Sequence, residues 1–290
     1  IFPNSYSMAQ ENGYCYTFEN GPNFLSNLPP NLENLRGSTE QITVRIDIPI
    51  LRTSNGLGGR TPTEVDEALN ILENDFALHN IFFRVACTEY IDNDVWYLNS
   101  ASVCYLSCTC LYTVNQHTDG IDIYIKDDVP VIGPVPPLDY TFNGGLSGGI
   151  PSAEFPDDPN FITGFMIGGM VNGYDVTLSS VISHEMGHVL GLYHTYYGTC
   201  PTGPIIVGAD CPLPTYGTPC LENTSNCADC GDFICDTPTD PFNVVNLTPT
   251  TCEGISNCGL TGYYPDIENI MSSSQPNCLY HFTADQGSRM

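Results

Sequence analysis

Residues 184–194 read HEMGHVLGLYH, so that three histidines, His184, His188 and His194, accompany Glu185 and Gly191. Residues four apart lie on one face of a helix, and His184 and His188 can therefore offer two imidazole nitrogens to a single metal ion. Gly191 can adopt the positive φ that ends a helix and turns the chain, which brings His194 back as a third ligand. The segment predicts a helix, a turn and a three-histidine metal site.

The spacing of these histidines also indicates a chemical reaction. Three neutral imidazoles leave the ion its positive charge and one coordination position for water, the arrangement of catalytic zinc sites. Glu185 directly follows the first ligand, so its carboxylate flanks the metal and can act as general base toward that water. The pattern H-E-x-x-H-x-x-G-x-x-H would arise by chance in a chain of this length with odds on the order of one in 100,000. We expect a zinc-dependent hydrolase acting on protein or peptide substrates, instead of an amphipathic helix with incidental histidines.

The cysteine content indicates an oxidising compartment. The 290-residue chain contains 14 cysteines, an even number that suits a secreted protein held by disulfides. Cys227 and Cys230 form a C-x-x-C pair that a zinc ribbon or redox site could also use, but the surrounding cysteines favour disulfides. No run of 18 apolar residues is present, and Ile1 to Asn4 lacks the features of a signal peptide. We expect a soluble, secreted and already processed chain.

The net charge limits the possible partners. The chain has 33 acidic residues against seven basic ones, a formal net charge of -26. Such a field repels nucleic acid and anionic membrane surfaces, whereas it attracts divalent cations and cationic peptides. An acidic surface also keeps a secreted protein soluble, so it does not identify the charge of the substrate. We expect a monomer with no nucleic-acid partner and no membrane partner.

Hydrophobic periodicity predicts strands and a helix upstream of the histidines. Apolar residues alternate from Gln41 to Ile50, as expected of a half-buried strand. Thr61 begins a capping box with proline at the first helical position, and apolar spacing continues that helix to about Asn80. The segments 81–87 and 121–125 read as further strands. The helix should therefore cross over between two parallel strands, with the zinc helix packed beneath their sheet.

Two further segments interrupt this pattern. A cysteine-rich insertion spans Cys104 to Cys110. The stretch from Gly144 to Gly169 is rich in glycine and aliphatic residues, which favours a loop followed or preceded by an exposed edge strand. An edge strand near the metal could hold substrate by β-augmentation.

Segments beyond the histidines resemble a known family. Asn269-Ile270-Met271-Ser272 resembles the Met-turn of the metzincins, the zinc protease clan with the extended histidine motif, which implies that Met271 supports the site from beneath the zinc. Within that clan, three stretches are similar to the pappalysin family: HTY from His194, GDFICDTP from Gly231 and FTADQGSRM from Phe282. The resemblance covers the chain from about Gln41 to its C-terminus.

This resemblance implies a fold of the α+β class. The expected architecture is a metzincin-type two-lobe catalytic domain, with a twisted, mostly parallel sheet, a crossover helix and a zinc-site helix, followed by an irregular disulfide-rich lobe. Residues 1–40 would be an N-terminal extension, residues 41–191 the N-terminal lobe ending in the zinc helix, and residues 192–290 the C-terminal lobe with the Met-turn.

The resemblance also implies calcium and a disulfide. Pappalysins are secreted zinc endopeptidases with structural calcium in the C-terminal lobe. The candidate calcium ligands are Asp229, Asp232, Asp236 and Thr237. Oxygen ligands at this spacing suit calcium, although a polar disulfide-bonded loop would have the same sequence. The family pairs a cysteine upstream of the Met-turn with one after it, which implies a bond between Cys258 and Cys278.

One departure from the metzincin pattern keeps other functions open. Many metzincins of this type have a tyrosine two residues after the Met-turn methionine that can stabilise the oxyanion, whereas this chain has Ser273. Tyr280 or another tyrosine could replace it. One alternative is a catalytically weak or inactive binding module stabilised by zinc and calcium, and another is a latent precursor whose N-terminal segment covers the cleft. Three histidines remain: His79, His117 and His281. They have no ligand-like spacing, and we expect them to be surface or satisfied core residues.

Overall fold

The computed structural model describes twelve stretches of the chain. They are residues 41–97, 111–117, 119–127, 144–147, 164–171, 173–195, 232–238, 244–245, 252, 255–256, 266–272 and 274–290. The expected N-terminal extension, the cysteine-rich insertion at 104–110 and Ser273 lie outside these residues.

A five-stranded mixed sheet is the framework of the described structure. Its strands are β1 (Ile42–Arg52), β2 (Ile81–Asp92), β3 (Ile121–Ile125), β4 (Gly144–Ser147) and β5 (Gly164–Gly168). The spatial order is β2-β1-β3-β5-β4, with β4 antiparallel to β5 and the other neighbours parallel. The prediction of a mostly parallel sheet is confirmed. β4 lies at the end of this order, within the stretch predicted to contain an edge strand.

Helix α1 (Pro62–Ala77) makes the predicted crossover between β1 and β2. Its capping box is complete, since the Thr61 side chain accepts a hydrogen bond from the Glu64 amide while the Glu64 carboxylate accepts one from the Thr61 amide. The helix ends before the predicted Asn80. Asn80 has a φ of 58°, which a right-handed helix does not allow, and it leads the chain directly into β2.

Two further helices lie downstream. Helix α2 (Val181–Val189) packs against α1, β4 and β5, which confirms that the predicted zinc helix lies beneath the sheet. Helix α3 (Ala284–Arg289) has Thr283 as its N-cap in a second capping box. None of the helices in the described stretches is both long and apolar enough to cross a membrane.

The remaining described elements are short. β6 (Met170–Val171) pairs with β7 (Tyr174–Asp175), and β8 (Val244–Val245) pairs with β9 (Ile255–Ser256), both antiparallel. Single turns of 3₁₀ helix occur at Leu111–Thr113 and Pro276–Cys278.

Alternation along the central strands separates two apolar layers. Ile46, Ile48 and Ile50 of β1 face the helices and are completely buried in the larger core. Neighbouring side chains point to the other face of the sheet, where Leu51 and Tyr124 belong to a second buried cluster. Both faces of the central strands are therefore covered, as expected for a largely parallel sheet.

The disulfide predicted between Cys258 and Cys278 is wrong. Cys278 is bonded to Cys252, with the two Cα atoms 5.4 Å apart. Because a cysteine sulfur forms a single disulfide, Cys278 cannot also pair with Cys258, which lies outside the described residues. Cys252 and Cys258 both precede Met271 in the chain, and the sequence alone does not show which of them pairs with Cys278. The division into two lobes and the disulfide-rich character of the second lobe stay predictions.

Replacing Thr61 with alanine tests the capping box of α1. The change removes the side-chain oxygen that accepts from the Glu64 amide, so the free energy of unfolding should fall by about 0.5–2 kcal/mol in urea denaturation. Thr61→Ser keeps the acceptor oxygen and is the matched control, with a smaller expected loss. Equal losses in the two variants would show that the methyl group, and not the cap, stabilises the helix start.

Candidate metal centre

Helix α2 ends in the turn that the histidine spacing requires. Gly191 has a φ of 99°, as predicted for the residue that reverses the chain. The Gly191 amide donates to the His188 carbonyl and the Leu192 amide donates to the Gly187 carbonyl, both at 2.9 Å. These two bonds form a Schellman motif, which satisfies carbonyls at the end of the helix. The turn brings His194 back toward the face of α2 that carries His184 and His188.

The three histidines converge on one point. The Nε2 atom of His194 lies 3.0 Å from the Nε2 atoms of both His184 and His188. The Nδ1 atom of His184 is 2.6 Å from the Ile270 carbonyl oxygen, and the Nδ1 atom of His188 is 2.8 Å from the Leu192 carbonyl oxygen. A carbonyl only accepts, so each Nδ1 carries the proton and each Nε2 presents its lone pair to the shared centre. This arrangement suits a single zinc ion.

Burial keeps the imidazoles in the form that binds metal. Desolvation, followed by the charge of His188, lowers the pKa of His184 to about 3, and desolvation lowers the pKa of His188 to about 4. Burial also lowers the pKa of His194 well below its usual value. All three rings are therefore neutral near pH 7, and a metal ion would not have to displace protons from them.

Met271 lies directly against α2. Its side chain is completely buried, and a Cβ atom added to Gly187 would come within 2.6 Å of the Met271 sulfur. The Met271 carbonyl accepts a hydrogen bond from the Thr195 amide at 3.0 Å, directly after the third histidine. The turn at 269–272 thus contacts α2 and also fixes the chain at His194.

Glu185 lies between α2 and the edge strand β4. It is 7% exposed, and a Cβ atom added to Gly145 would lie 2.2–2.4 Å from its Cγ, Cδ and Oε1 atoms. Only glycine leaves room for the Glu185 carboxylate at this contact. The sequence indicated an edge strand near the site, but it contained no signal for this close approach between two segments far apart in the chain.

The calcium candidates are only partly described. Asp229 lies outside the described residues. One oxygen of Asp232 accepts from the Ile234 amide and the Thr237 hydroxyl, while burial raises the pKa of Asp232 to about 7. Asp236 accepts from the Thr283 hydroxyl and the Asp285 amide at the start of α3. No metal-ligating group of three within the described stretches includes these aspartates, so calcium stays a prediction.

Two other expectations from the sequence concern Tyr280 and His117. The Tyr280 hydroxyl donates to the Asn277 carbonyl at 2.6 Å, and the residue is 60% exposed, so this contact gives Tyr280 no role in place of the Met-turn tyrosine. The sequence predicts a surface or satisfied core residue at His117, whereas the structure groups it with Asp47 and Asp122, and these three residues form a group that could hold a metal ion. Sequence spacing did not reveal it because its members belong to separate segments.

Comparisons with known proteins place the metal centre in a family context. Residues 122–290 match the model of peptidase M43, described as Pregnancy-associated plasma protein-A. The chain is 24% identical over 252 residues to an extracellular metalloprotease of Colletotrichum graminicola, which covers 86% of this chain and 75% of that relative. It is 32% identical over 108 residues to Pappalysin-1 of Mus musculus, covering 37% of this chain and 6% of that protein.

A solved structure shares the fold. Mature mirolysin of Tannerella forsythia, determined in complex with a cleaved peptide, superposes with a TM-score of 0.53 at 15% sequence identity. The match covers 87% of this chain and 91% of the mirolysin chain. At this level of identity the likeness concerns the fold alone.

A double-mutant cycle tests the contact between Gly187 and Met271. Gly187→Ala should destabilise the protein and weaken zinc binding, because the new methyl group clashes with the Met271 sulfur. Met271→Ala should also destabilise by leaving a cavity, but it should relieve that clash in the double variant. Chemical denaturation and zinc titration should give a coupling energy of about 0.5–3 kcal/mol. Additive effects of the two changes would contradict the contact.

Proposed function

The chain belongs to the peptidase M43 family, that of pregnancy-associated plasma protein-A, and from this we propose that it is a secreted zinc endopeptidase with Glu185 as general base. Membership of this family makes the chain a metalloendopeptidase. We assign zinc to His184, His188 and His194. The observation that carries the assignment is the convergence of their Nε2 atoms while two of the Nδ1 atoms are held by backbone carbonyls.

Glu185 performs the proton transfers in the proposed reaction. When bound, zinc supplies a Lewis acid for the scissile carbonyl and for the attacking water. Glu185 takes the proton from that water and later delivers it to the leaving amine, so no covalent intermediate with the protein is needed. Glu185 lies on α2, one residue after the proposed ligand His184. The contact with Gly145 limits the space in which this carboxylate can move.

Strand β4 is the proposed substrate-binding edge. It pairs with β5 on one side and lies at the end of the strand order. An extended peptide that adds to its other side would pass the Glu185 carboxylate, because Gly145 of β4 directly contacts it. Main-chain hydrogen bonds of this kind select an extended backbone and do not depend on the side chains of the peptide. Protein or peptide substrates are accordingly proposed.

Secretion is proposed from the disulfides and the relatives. Cys252 and Cys278 are bonded to each other. Cys87 and Cys235 each take part in a disulfide as well. Disulfides persist in oxidising compartments and are rare in the cytosol. The curated relatives from Colletotrichum graminicola and Sordaria macrospora are both named extracellular metalloproteases.

Glu185→Gln tests the general base. The variant should retain zinc, because Glu185 is not among the three ligands, and should lose about 10²–10⁴-fold in kcat on a peptide library. Zinc content is measured in the same samples. Glu268→Gln is the matched control, since it removes the same charge from an exposed side chain and should leave kcat unchanged.

Two outcomes of that experiment would contradict the proposal. Full activity in folded, zinc-loaded Glu185→Gln would exclude Glu185 as the base. A wild-type protein that binds zinc but hydrolyses no peptide in the library, with or without a chelator, would instead indicate an inactive binding module.

Gly145→Ala tests whether the edge strand positions the Glu185 carboxylate. The added methyl group overlaps the Glu185 side chain, so kcat should fall by about tenfold or more while zinc content stays unchanged. Ser147→Ala, two residues along β4, removes an atom from the same strand face without adding volume and is the control. If Gly145→Ala raised KM and left kcat unchanged, substrate pairing, and not the position of the base, would depend on Gly145.

A further inference from the structure

A second group of ionisable residues lies on the face of the sheet opposite α1 and α2. Asp47 of β1 and Asp122 of β3 are direct register partners on neighbouring strands. Their alternating neighbours, Ile46, Ile48 and Ile121, belong to the core beneath the helices, so the two carboxylates point to the other face. Asp47 is 0% exposed and Asp122 is 1% exposed. Two buried carboxylates directly opposite each other repel and destabilise the strand pair unless positive charge is present.

The Asp47 carboxylate is the most unusual member of the group. Both of its oxygens are buried, and neither has a hydrogen-bond partner. The pairing of β1 with β2 shifts register between Ile46 and Asp47, where β2 carries one extra residue, so the shift leaves the alternation along β1 intact. A carboxylate that has lost its water and gained no donor is costly, which points to a missing ligand for its oxygens.

His117 stands between the two carboxylates. Its Nδ1 atom is 2.6 Å from an oxygen of Asp122, and its amide donates to the other Asp122 oxygen at 3.0 Å. Its Nε2 atom is 3.9 Å from Asp47 Oδ1, which is too long for a hydrogen bond. One ligand atom from each of the three residues lies within 4.8 Å of the others. The three residues therefore form a group that could hold one metal ion.

The neighbouring charges do not balance the carboxylates. Arg45 Nε lies 3.5 Å from Asp47 Oδ2, but the side chain is 42% exposed and the same guanidinium pairs with Asp119. Glu89 of β2 adds a further carboxylate, with Oε1 buried and without a hydrogen-bond partner. Even with His117 protonated, the two basic groups that pair here, Arg45 and His117, face four carboxylates. These belong to Asp47, Asp119, Asp122 and Glu89. A divalent cation would remove the excess.

We propose that Asp47, His117 and Asp122 form a second, structural site for a divalent transition-metal ion of the zinc type. An imidazole together with carboxylates suits zinc or manganese, whereas calcium prefers oxygen ligands alone. Two of the ligands come from adjacent central strands, which fix their separation before the ion binds. The third ligand comes from the segment 111–117, whose Leu111 and Tyr112 pack on the same face of the sheet. The ion would hold this segment to β1 and β3.

Metal counting tests the site. Chelator-treated wild-type protein is dialysed against zinc at physiological ionic strength, with excess magnesium to occupy weak surface carboxylates, and bound zinc is measured by mass spectrometry. His117→Gln should bind one equivalent less than wild type. His281→Gln is the matched control and should bind as many equivalents as wild type, since His281 pairs with Asp266 outside both groups.

The difference between variants separates this proposal from the proposed catalytic site. If the three histidines of α2 and its turn bound no zinc, wild type would hold one equivalent and His117→Gln none, and the second site would still be supported. Equal zinc content in wild type and folded His117→Gln would overturn it. If His117→Gln does not fold, Asp47→Asn, checked by circular dichroism, is used for the same comparison. Binding of calcium in place of zinc would contradict the assigned ion.

Discussion

The hydrogen bond between the His184 ring and the Ile270 carbonyl is the contact on which the metal centre most depends. It joins the first turn of α2 to the turn at 269–272 across 86 positions of the chain, at 2.6 Å. The bond fixes the tautomer of His184 and aims its Nε2 atom at the other two imidazoles. It also places Met271 under Gly187, while the Met271 carbonyl holds the backbone at Thr195. One short turn thus positions both the first and the third histidine.

The sheet provides two different environments on its two faces. On one face, an apolar core packs against α1 and α2, and desolvation lowers the pKa values of His184 and His188 so that these rings stay unprotonated. On the opposite face, Asp47 and Asp122 bring negative charge into a buried position next to a second apolar cluster. Low polarity strengthens electrostatic interactions in both places. The three-histidine centre favours a metal ion because its donors are neutral, whereas the group around Asp47 and Asp122 favours one because the ion would balance negative charge.

Local chemistry was readable from the sequence, and contacts between distant segments were not. The capping box at Thr61, the positive φ at Gly191 and the strands at 42–52 and 121–125 all follow from residue types over a few positions. The contact between Gly145 and Glu185 depends on β4 lying beyond β5 in the sheet, an order that periodicity does not specify. The Cys258 pairing was wrong because the resemblance implied only a cysteine upstream of the Met-turn, a condition that Cys252 also meets. His117 was overlooked because its partners belong to β1 and β3.

The central claim is that three imidazoles, and no other protein side chain, bind the catalytic zinc. X-ray absorption at the zinc edge tests it most directly, on His117→Gln protein that lacks the proposed second site, is loaded with one equivalent and is shown to be an active peptidase. The account predicts three imidazole nitrogens at about 2.0–2.1 Å with the remaining position taken by a lighter oxygen ligand. Sulfur ligands at about 2.3 Å, or a first coordination sphere with a single imidazole, would contradict it.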